Sequence, residues 1–333
     1  MTASAVHPAG APATRPPRGL TRFRDPMLLQ QLGLLAILAL TVAVFSATAP
    51  NFLSALNIEN ILRQAAFAGI IAMGMTLVIV AGEIDISVGS AVAFSCGLMG
   101  VLFEAGWNIG AAIAVTVVLG AAIGAVAGMF RARFGIPSFI TTLALFLTLR
   151  GLAEMITETR SIPISSEVLD ALNASYLGVP FPVWVFGAVA AVFWWVSTRT
   201  VFGRSVYAIG GNAHAARLAG IPVARVRVIL FALTGVLAAI TGILTTARIG
   251  VGTSTVGNGL EFNVIAAVII GGTSLAGGRG SILGSILGVL FVTVLGNALV
   301  LYGVGSSAQL AVQGVVVLLA VLVNSVRRGP VTD

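Results

Sequence analysis

Charged residues are scarce in this sequence. Of its 333 residues, 9% are charged and 58% are hydrophobic, and the mean hydropathy is +1.06. A soluble domain carries about 25% charged residues, so this composition cannot provide a surface that water would solvate. The chain is therefore expected to be an integral membrane protein, and its length suits a bundle of membrane spans.

Lysine is absent, and histidine and cysteine nearly so. All 18 basic residues are arginine, which excludes a standard P-loop, because that loop needs a lysine on the phosphates, and also excludes Schiff-base chemistry. Two histidines, His7 and His214, cannot form a histidine-cluster metal site. The single Cys96 excludes an intramolecular disulfide framework. No nucleophile–base pair is evident either, so we expect no enzyme, no metal site and no cofactor in this chain.

Long apolar runs predict an all-α membrane protein with about ten transmembrane helices. Residues 28–49 would span about 33 Å as a helix, enough for a hydrocarbon core of ~30 Å. Helices are expected because backbone polar groups in lipid must be satisfied within their own segment. The predicted spans are 28–49, 64–81, 88–105, 109–130, 138–157, 183–198, 228–249, 262–276, 281–301 and 307–325.

The arginines predict the orientation of these spans. If the N-terminus is cytoplasmic, fourteen arginines fall in inner segments, three (Arg63, Arg160 and Arg248) in outer segments, and Arg150 within a span. This positive-inside bias predicts that both termini are cytoplasmic. It also explains the net charge of +7 by orientation and not by nucleic-acid binding.

Three regions are expected along the chain. Residues 1–26 are rich in Pro, Ala and Arg without an apolar period, which is typical of a disordered basic tail. Residues 27–326 form the polytopic membrane domain, and residues 327–333 form a second cytoplasmic tail.

The longest inner loop runs from Arg199 to Arg227. Asn212 offers a helix start, and Gly220 followed by Pro222 offers a stop. This pattern predicts a short helix over 213–219 that lies across the cytoplasmic face. A plain solvated basic loop is the alternative.

Two Gly-rich segments predict broken helices. In residues 82–90, GEIDISVGS, Asp85 or Ser87 would cap the following helix, or the segment would line the path of a polar solute. Residues 271–280, GGTSLAGGRG, favour close backbone packing over a phosphate loop, because lysine and a preceding strand are missing. Glycines repeat every four residues in two helices, which predicts flat packing faces: Gly120, Gly124, Gly128, Gly280, Gly284 and Gly288.

Arg150 is the one arginine placed inside a predicted span. Glu154 lies one turn further on, where the two side chains can neutralise each other; the alternative is an arginine that faces a polar central cavity. The outer segment from Arg248 to Asn263 is rich in Gly, Thr and Ser and is a candidate outer gate. The other outer segment, 157–182, is expected to be a connector or a docking site for an external partner.

Four separated segments carry a family resemblance. They are NILRQAAFAGIIAMGMTLVIVAGEIDISVGS, GIPSFITTLALFLTLRG, GRSVYAIGGNAHAARLAGI and EFNVIAAVIIGGTSLAGGRGSILGSILG. In this order they resemble the permease subunits of ribose-type monosaccharide ABC importers, over nearly the whole chain after residue 50. One departure is that His214-Ala215-Ala216 stands where that family often has Glu-Ala-Ala.

The resemblance implies a bacterial cytoplasmic-membrane permease subunit that carries a monosaccharide or a related small polyhydroxylated solute. Its partners would be a separate ATPase that binds ATP and Mg, an extracytoplasmic binding protein, and a second permease copy or paralogue. The alternatives are an ion-coupled secondary transporter and a branched-chain amino-acid-type ABC permease. The residues expected to couple to the ATPase are Arg204, Asn212, His214, Ala215, Ala216, Arg217 and Gly220. Those expected in the solute pathway or gate are Glu83, Asp85, Ser87, Arg150, Glu261 and Asn263.

Overall fold

The computed structural model describes residues 26–305 and ten scattered helical positions between 307 and 322. The predicted tails 1–26 and 327–333 therefore lie outside the described residues, except for the backbone of Pro26. The ten helical positions fall within the predicted span 307–325.

The described part of the chain is a bundle of helices, as predicted. Seven of its helices are long and apolar enough to cross a membrane, and two shorter apolar helices, α3 and α11, lie among them. The seventeen residues of α3 and the eleven of α11 correspond to about 25 Å and about 17 Å of helix, less than a hydrocarbon core of ~30 Å. The helices are α1 (Pro26–Thr48), α2 (Ala55–Val80), α3 (Val88–Glu104), α4 (Ile109–Phe134), α5 (Ser138–Thr157), α6 (Glu167–Asn173), α7 (Phe181–Arg199), α8 (Val201–Gly211), α9 (Ala213–Leu218), α10 (Val223–Ile249), α11 (Leu260–Ile270) and α12 (Ile282–Leu301).

Helix α2 begins nine residues before the predicted start at residue 64. Ser54 caps it by accepting a hydrogen bond from the backbone N–H of Asn57. The polar first turns then find partners within the protein, because Arg63 pairs with Glu59 at 2.7 Å and Asn57 exchanges side-chain hydrogen bonds with Asn297 of α12. Hydropathy alone missed these turns because it does not register that their polar groups are satisfied, some within the helix and some by residues distant in sequence.

Helices α2 and α10 occupy the centre of the bundle, whereas α1 lies at its edge. The side chains of Ile70, Ile71 and Met73 on α2 and of Phe231 on α10 are fully buried. The predicted glycine faces are confirmed on α4 and α12, except that Gly280 precedes α12 and is not part of its face. A β-carbon at Gly124 would collide with the Phe231 carbonyl, so α4 and α10 approach each other backbone to backbone.

The outer segment 158–180 has structure of its own, beyond a simple connector. Strand β1 (Ile162–Pro163) pairs antiparallel with β4 (Val251–Gly252), which follows α10. Helix α6 comes next, and β2 (Ser175–Tyr176) and β3 (Val179–Pro180) then form a hairpin before α7. These contacts join the outer ends of helices that are far apart in the chain.

Candidate functional site: a neutral cavity between two helix breaks

The first break, residues 81–87, links α2 to α3 at the predicted cytoplasmic end of the bundle. Its backbone is irregular and is hydrogen-bonded to α5: Ile84 N–H donates to Ser138 Oγ at 3.1 Å and Ile86 N–H to Thr142 Oγ1 at 3.2 Å. Polar side chains of a neighbouring helix thus satisfy backbone groups that have no helical partner, as an interruption within a membrane bundle requires.

Asp85 holds this break together. Its Oδ1 accepts hydrogen bonds from the Ser87 N–H at 3.0 Å and the Ser87 hydroxyl at 2.6 Å, and its Oδ2 accepts from Thr234 Oγ1 of α10 at 2.9 Å. Ser87 occupies the N-cap position of α3 but makes no side-chain cap bond. The predicted capping by the Ser87 side chain is therefore wrong, whereas Asp85 accepts the Ser87 N–H at the start of α3, a contact of the capping type. The carboxylate is also committed to the Ser87 hydroxyl and to α10.

Glu83 lies in an inner ion cluster with Arg131 and Arg227. The Arg131 Nε is 2.8 Å from Glu83 Oε1, and the Arg227 Nε is 2.7 Å from the same oxygen, although only the Arg131 contact has hydrogen-bond geometry. The carboxylate side chain is 2% exposed. The cluster joins the first break to the end of α4 and the start of α10.

The sequence alone did not predict that Arg131 and Arg227 contact Glu83. The inner arginines were used only to predict the orientation of the spans. The available signal was that Glu83 and Asp85 are the sole acids in the predicted inner segments between Asp25 and Asp333, so the inner arginines have few other possible partners.

The second break, residues 250–259, runs from the end of α10 back into the bundle along α3. Gly252 packs against Gly100, and Gly257 packs against Gly89. The eleven helical residues that separate Gly89 from Gly100 span about 17 Å, so residues 252–257 run back along about that length of α3. Helix α11 thus begins deep in the bundle, close to the start of α3.

Arg150 supports this second break from α5. Its Nη1 donates to the carbonyl of Ser254 at 2.7 Å and to that of Val256 at 2.9 Å. Glu261, 1% exposed, lies against Gly89 and within electrostatic reach of Arg150. No salt bridge joins Arg150 to Glu154 in the part of the chain that the structure describes. The arginine thus serves the backbone of the outer segment.

A cavity of about 290 Å³ lies between α2, α10, α11 and α12, with the second break as one wall. The ring of Phe67 forms part of the apolar lining. Among the described residues, no charged side chain lines this cavity. Six uncharged polar side chains do so: Gln64, Thr241, Thr245, Asn258, Asn263 and Thr293.

Of the six residues predicted for the pathway or gate, Asn263 lines the cavity. Glu83, Asp85 and Ser87 lie in the first break, Arg150 and Glu261 lie against the second, and none of these five lines the cavity. Of the other five polar lining residues, Asn258 falls in the segment predicted as an outer gate, and sequence reasoning missed Gln64, Thr241, Thr245 and Thr293. The i, i+4 spacing of Thr241 and Thr245 on α10 was a weak signal for them.

The predicted short helix over 213–219 is confirmed as α9, and its cytoplasmic placement stays a prediction. Asn212 caps it by accepting from the backbone N–H groups of His214 and Ala215, both at 3.0 Å, and Gly220 follows with φ +83°. His214, Ala215 and Arg217 are exposed, as is Arg204 on α8. Ala216 differs, because it is 4% exposed and packs inward, where no partner can contact it. Leu218, 77% exposed, is an additional surface residue that the sequence prediction omitted.

Helix α8, which was not predicted, connects α9 to the first break and to residues 271–280. The Gly278 N–H donates to the Val80 carbonyl at 2.8 Å, and Gly210 of α8 packs against both residues. The Tyr207 hydroxyl donates to the Gly280 carbonyl at 2.9 Å. The predicted close backbone packing of the Gly-rich segment 271–280 is thus confirmed, and α8 is its neighbour.

Comparison with known proteins gives one consistent family. Residues 57–321 match the family described as branched-chain amino acid transport system / permease component. The chain is 48% identical over 297 residues to the Escherichia coli protein named "Probable ABC transporter permease protein YphD", covering 89% of this chain and 90% of that protein. It is 41% identical to the ribose import permease protein RbsC of Escherichia coli, covering 92% of this chain and 97% of RbsC.

A third relative, the xylose transport system permease protein XylH of Escherichia coli, is 34% identical, covering 87% of this chain and 90% of XylH. The family match and the relatives agree with the apolar helices of the bundle. This chain belongs to the branched-chain amino acid transport system / permease component family and is a multi-pass permease subunit of an ABC transporter, whose ATPase activity resides in a partner chain.

Proposed function

We propose that this chain forms the membrane pathway of an importer for a monosaccharide or a related small polyhydroxylated solute. The observation that carries the proposal is the cavity with six uncharged polar side chains and an aromatic ring in its wall. Amides and hydroxyls both donate and accept hydrogen bonds, which matches a solute whose hydroxyl groups do the same. A mostly apolar wall with a few polar groups is typical of a small-molecule site.

The lining argues against an amino acid as the solute. A branched-chain amino acid carries an ammonium and a carboxylate group, and a buried charge is expensive unless it is paired. Within the described residues the cavity lining offers no charged side chain to pair with either group. The ribose and xylose permeases among the relatives support the same choice.

An ion-coupled mechanism is also less suited to this site. Such carriers place ionisable residues where the transported ion can reach them. Here Glu83 is paired with two arginines, Asp85 accepts from Ser87 and Thr234, and Arg150 donates to two backbone carbonyls. Energy would come instead from a cytoplasmic ATPase, which binds the ATP and Mg.

The remaining partners follow from this role. An extracytoplasmic binding protein would deliver the solute to the outer end of the bundle, and a second permease copy or paralogue would complete the pathway. The membrane would be the bacterial cytoplasmic membrane. The exposed face of α9, formed by His214, Ala215, Arg217 and Leu218, would dock in a groove of the ATPase.

Uptake by reconstituted vesicles tests the solute. We expect the chain, assembled with its ATPase and binding protein, to take up one or more labelled pentoses or hexoses in an ATP-dependent manner and to leave leucine and isoleucine outside. ATP-dependent uptake of leucine without uptake of any sugar would overturn the proposal.

Two asparagine variants test the cavity. Asn263 and Asn60 are both half-buried, but only Asn263 lines the cavity. We expect Asn263→Leu to reduce sugar uptake about ten-fold, since it removes an amide from the lining, and Asn60→Leu to leave uptake near the wild-type rate. Equal rates for the two variants would show that the cavity is not the pathway.

A charge reversal tests the docking face. Arg217 on α9 and Arg133 at the end of α4 are both exposed at the same end of the bundle. We expect Arg217→Glu to reduce co-purification of the ATPase or to separate ATP hydrolysis from uptake, and Arg133→Glu to have little effect. Wild-type assembly and coupling in Arg217→Glu and in Leu218→Ser would show that α9 is only a solvated segment.

A further inference from the structure

Arg248 is a half-buried cation whose side chain packs against an aromatic ring. It lies in the last turn of α10, with its guanidinium carbon 5.6 Å from the centre of the Phe67 ring. No hydrogen bond or ion pair to its guanidinium occurs within the described part of the chain. Its other electrostatic neighbour is Arg63, which repels it. A guanidinium carries five donors in a fixed fork, so all five remain available.

The position of Arg248 relates it to the cavity. Thr241, Thr245 and Arg248 follow the i, i+4, i+7 spacing that places residues on one helix face, and both threonines line the cavity. Phe67, the ring beneath the guanidinium, also lines it. Arg248 is about 4.5 Å further along the axis than Thr245, at the predicted outer end of α10. It therefore stands at the outer mouth of the cavity.

The hydrogen-bonding capacity of the cavity indicates what Arg248 would bind. The hydroxyls of Thr241 and Thr245 already donate to the carbonyls of Leu237 and Thr241, at 2.9 Å and 2.7 Å. Each hydroxyl carries a single proton, so both threonines present only acceptor lone pairs to a solute. A solute rich in hydroxyls also needs donors, which the amides of Gln64, Asn258 and Asn263 supply within the cavity and the guanidinium supplies at its mouth.

Resting on the proposed function, we propose that Arg248 is a solute-contacting, specificity-determining residue at the outer mouth, which donates from its guanidinium fork to two neighbouring hydroxyls of the entering solute. Contact with Phe67 fixes the plane of the fork. The arginine thus requires a pair of adjacent hydroxyl oxygens in a defined geometry, whereas the neutral lining below it accepts many hydroxyl arrangements.

Monodeoxy analogues of the transported sugar test this role. Each analogue is loaded to saturation on the binding protein, and single-turnover uptake is measured in vesicles, so that selection by the binding protein does not enter the rate. In the wild type, we expect the analogue that lacks a contacted hydroxyl to cross about ten-fold more slowly than the parent sugar, as for a lost hydrogen bond to a charged donor. In Arg248→Met, the two rates should become equal.

Three further measurements distinguish solute contact by the guanidinium fork of Arg248 from an effect of its charge or of its contribution to folding. Arg248→Lys keeps the charge but loses the fork, so we expect it to discriminate less than the wild type. Arg160→Met removes an exposed outer arginine that is paired with Glu104, and it should discriminate like the wild type. Assembly of Arg248→Met with the ATPase, followed by gel filtration, verifies that the variant folds.

Two outcomes would overturn the inference. If Arg248→Met weakens association with the binding protein but keeps the wild-type discrimination, the arginine is a docking residue. If both properties stay unchanged, the arginine only packs on Phe67. Failure of the proposed function has a different signature, since the wild-type complex itself would then transport no sugar.

Discussion

The cavity and the inner ion cluster use polar side chains in opposite ways. The cavity is lined by amides and hydroxyls without charge among the described residues, whereas the inner ion cluster joins one buried carboxylate to two arginines at 2.7–2.8 Å. Charged pairs in a low-dielectric interior are strong only when the geometry is fixed. Hydrogen bonds between neutral groups are weaker, and one such bond can be replaced by another. The difference indicates that charge holds the frame and that neutral groups line the cavity below Arg248.

The two helix breaks extend this contrast. At the first break, a carboxylate is held by arginines from α4 and α10; at the second, Arg150 holds backbone carbonyls of residues 254 and 256. Both breaks lead to a helix start deep in the bundle, and the two starts meet where Gly89 contacts Gly257 and Glu261. Charged residues thus fix non-helical backbone at both breaks, whereas the cavity lining is uncharged among the described residues.

The largest expected effect comes from breaking the inner ion cluster. Glu83→Gln leaves Arg131 and Arg227 without a counter-charge, and loss of one partner from a buried ion pair costs about 3–5 kcal/mol. We expect a large drop in the thermal unfolding temperature of the purified protein in detergent. Glu158→Gln serves as the control, since its side chain is 77% exposed.

A second substitution sharpens the test of the inner ion cluster. If the penalty arises from unpaired charge, then Arg227→Met in the Glu83→Gln background should recover part of the lost stability. A thermal shift for Glu83→Gln no larger than that for Glu158→Gln would contradict the assigned role.

An intermediate effect is expected at the contact between α4 and α10. Helix α10 carries Arg227 and two of the cavity threonines, Thr241 and Thr245. A methyl group at Gly124 would meet the Phe231 carbonyl, whereas one at Gly187 on α7 would meet nothing within 4 Å. Overpacking costs about 1–3 kcal/mol, so Gly124→Ala should unfold at a lower temperature.

Gly187→Ala provides a control of opposite sign. Replacing a glycine by alanine in a helix interior favours the helix by about 0.5–1 kcal/mol, so this variant should be as stable as the wild type or slightly more so. Equal losses of stability in the two variants would mean that the close contact of α4 with α10 is unimportant.

Local signals made part of this structure predictable from the sequence. Helix α9 followed from Asn212 and Gly220, because a cap and a left-handed stop act within a few residues. The glycine faces followed from spacing alone. Helix α8 was missed because its eleven residues resemble a loop when they are judged by hydropathy over the length of a span.

The site itself depended on contacts that no local pattern contains. Glu83 and Arg131 are 48 residues apart, and Gln64 and Thr293 reach the same cavity from α2 and α12. The acids and Arg150 were good indicators of where helices break. They were poor indicators of the lining, because the residues that form the path are uncharged and resemble ordinary polar residues of membrane helices.

The smallest expected effect is the loss of one cavity hydroxyl. This substitution tests whether the hydroxyl contacts the solute or only stabilises the bundle. Thr245 and Thr148 each donate to the carbonyl four residues earlier, at 2.7 Å and 2.9 Å, but only Thr245 lines the cavity. Valine removes the hydroxyl from each at similar shape. Because the backbone contact is lost equally, it cancels in the comparison. The remaining difference is one neutral hydrogen bond to solute, worth about 0.5–1.5 kcal/mol.

We therefore expect Thr245→Val to slow sugar uptake about two- to ten-fold relative to Thr148→Val, with the same unfolding temperature for both. The measurement is uptake at saturating loaded binding protein, beside thermal unfolding in detergent. A loss of stability confined to Thr245→Val would make this hydroxyl part of the frame. Equal uptake by both variants would exclude it from the path, and the contrast between neutral path and charged frame would then depend on the amides of Gln64, Asn258 and Asn263.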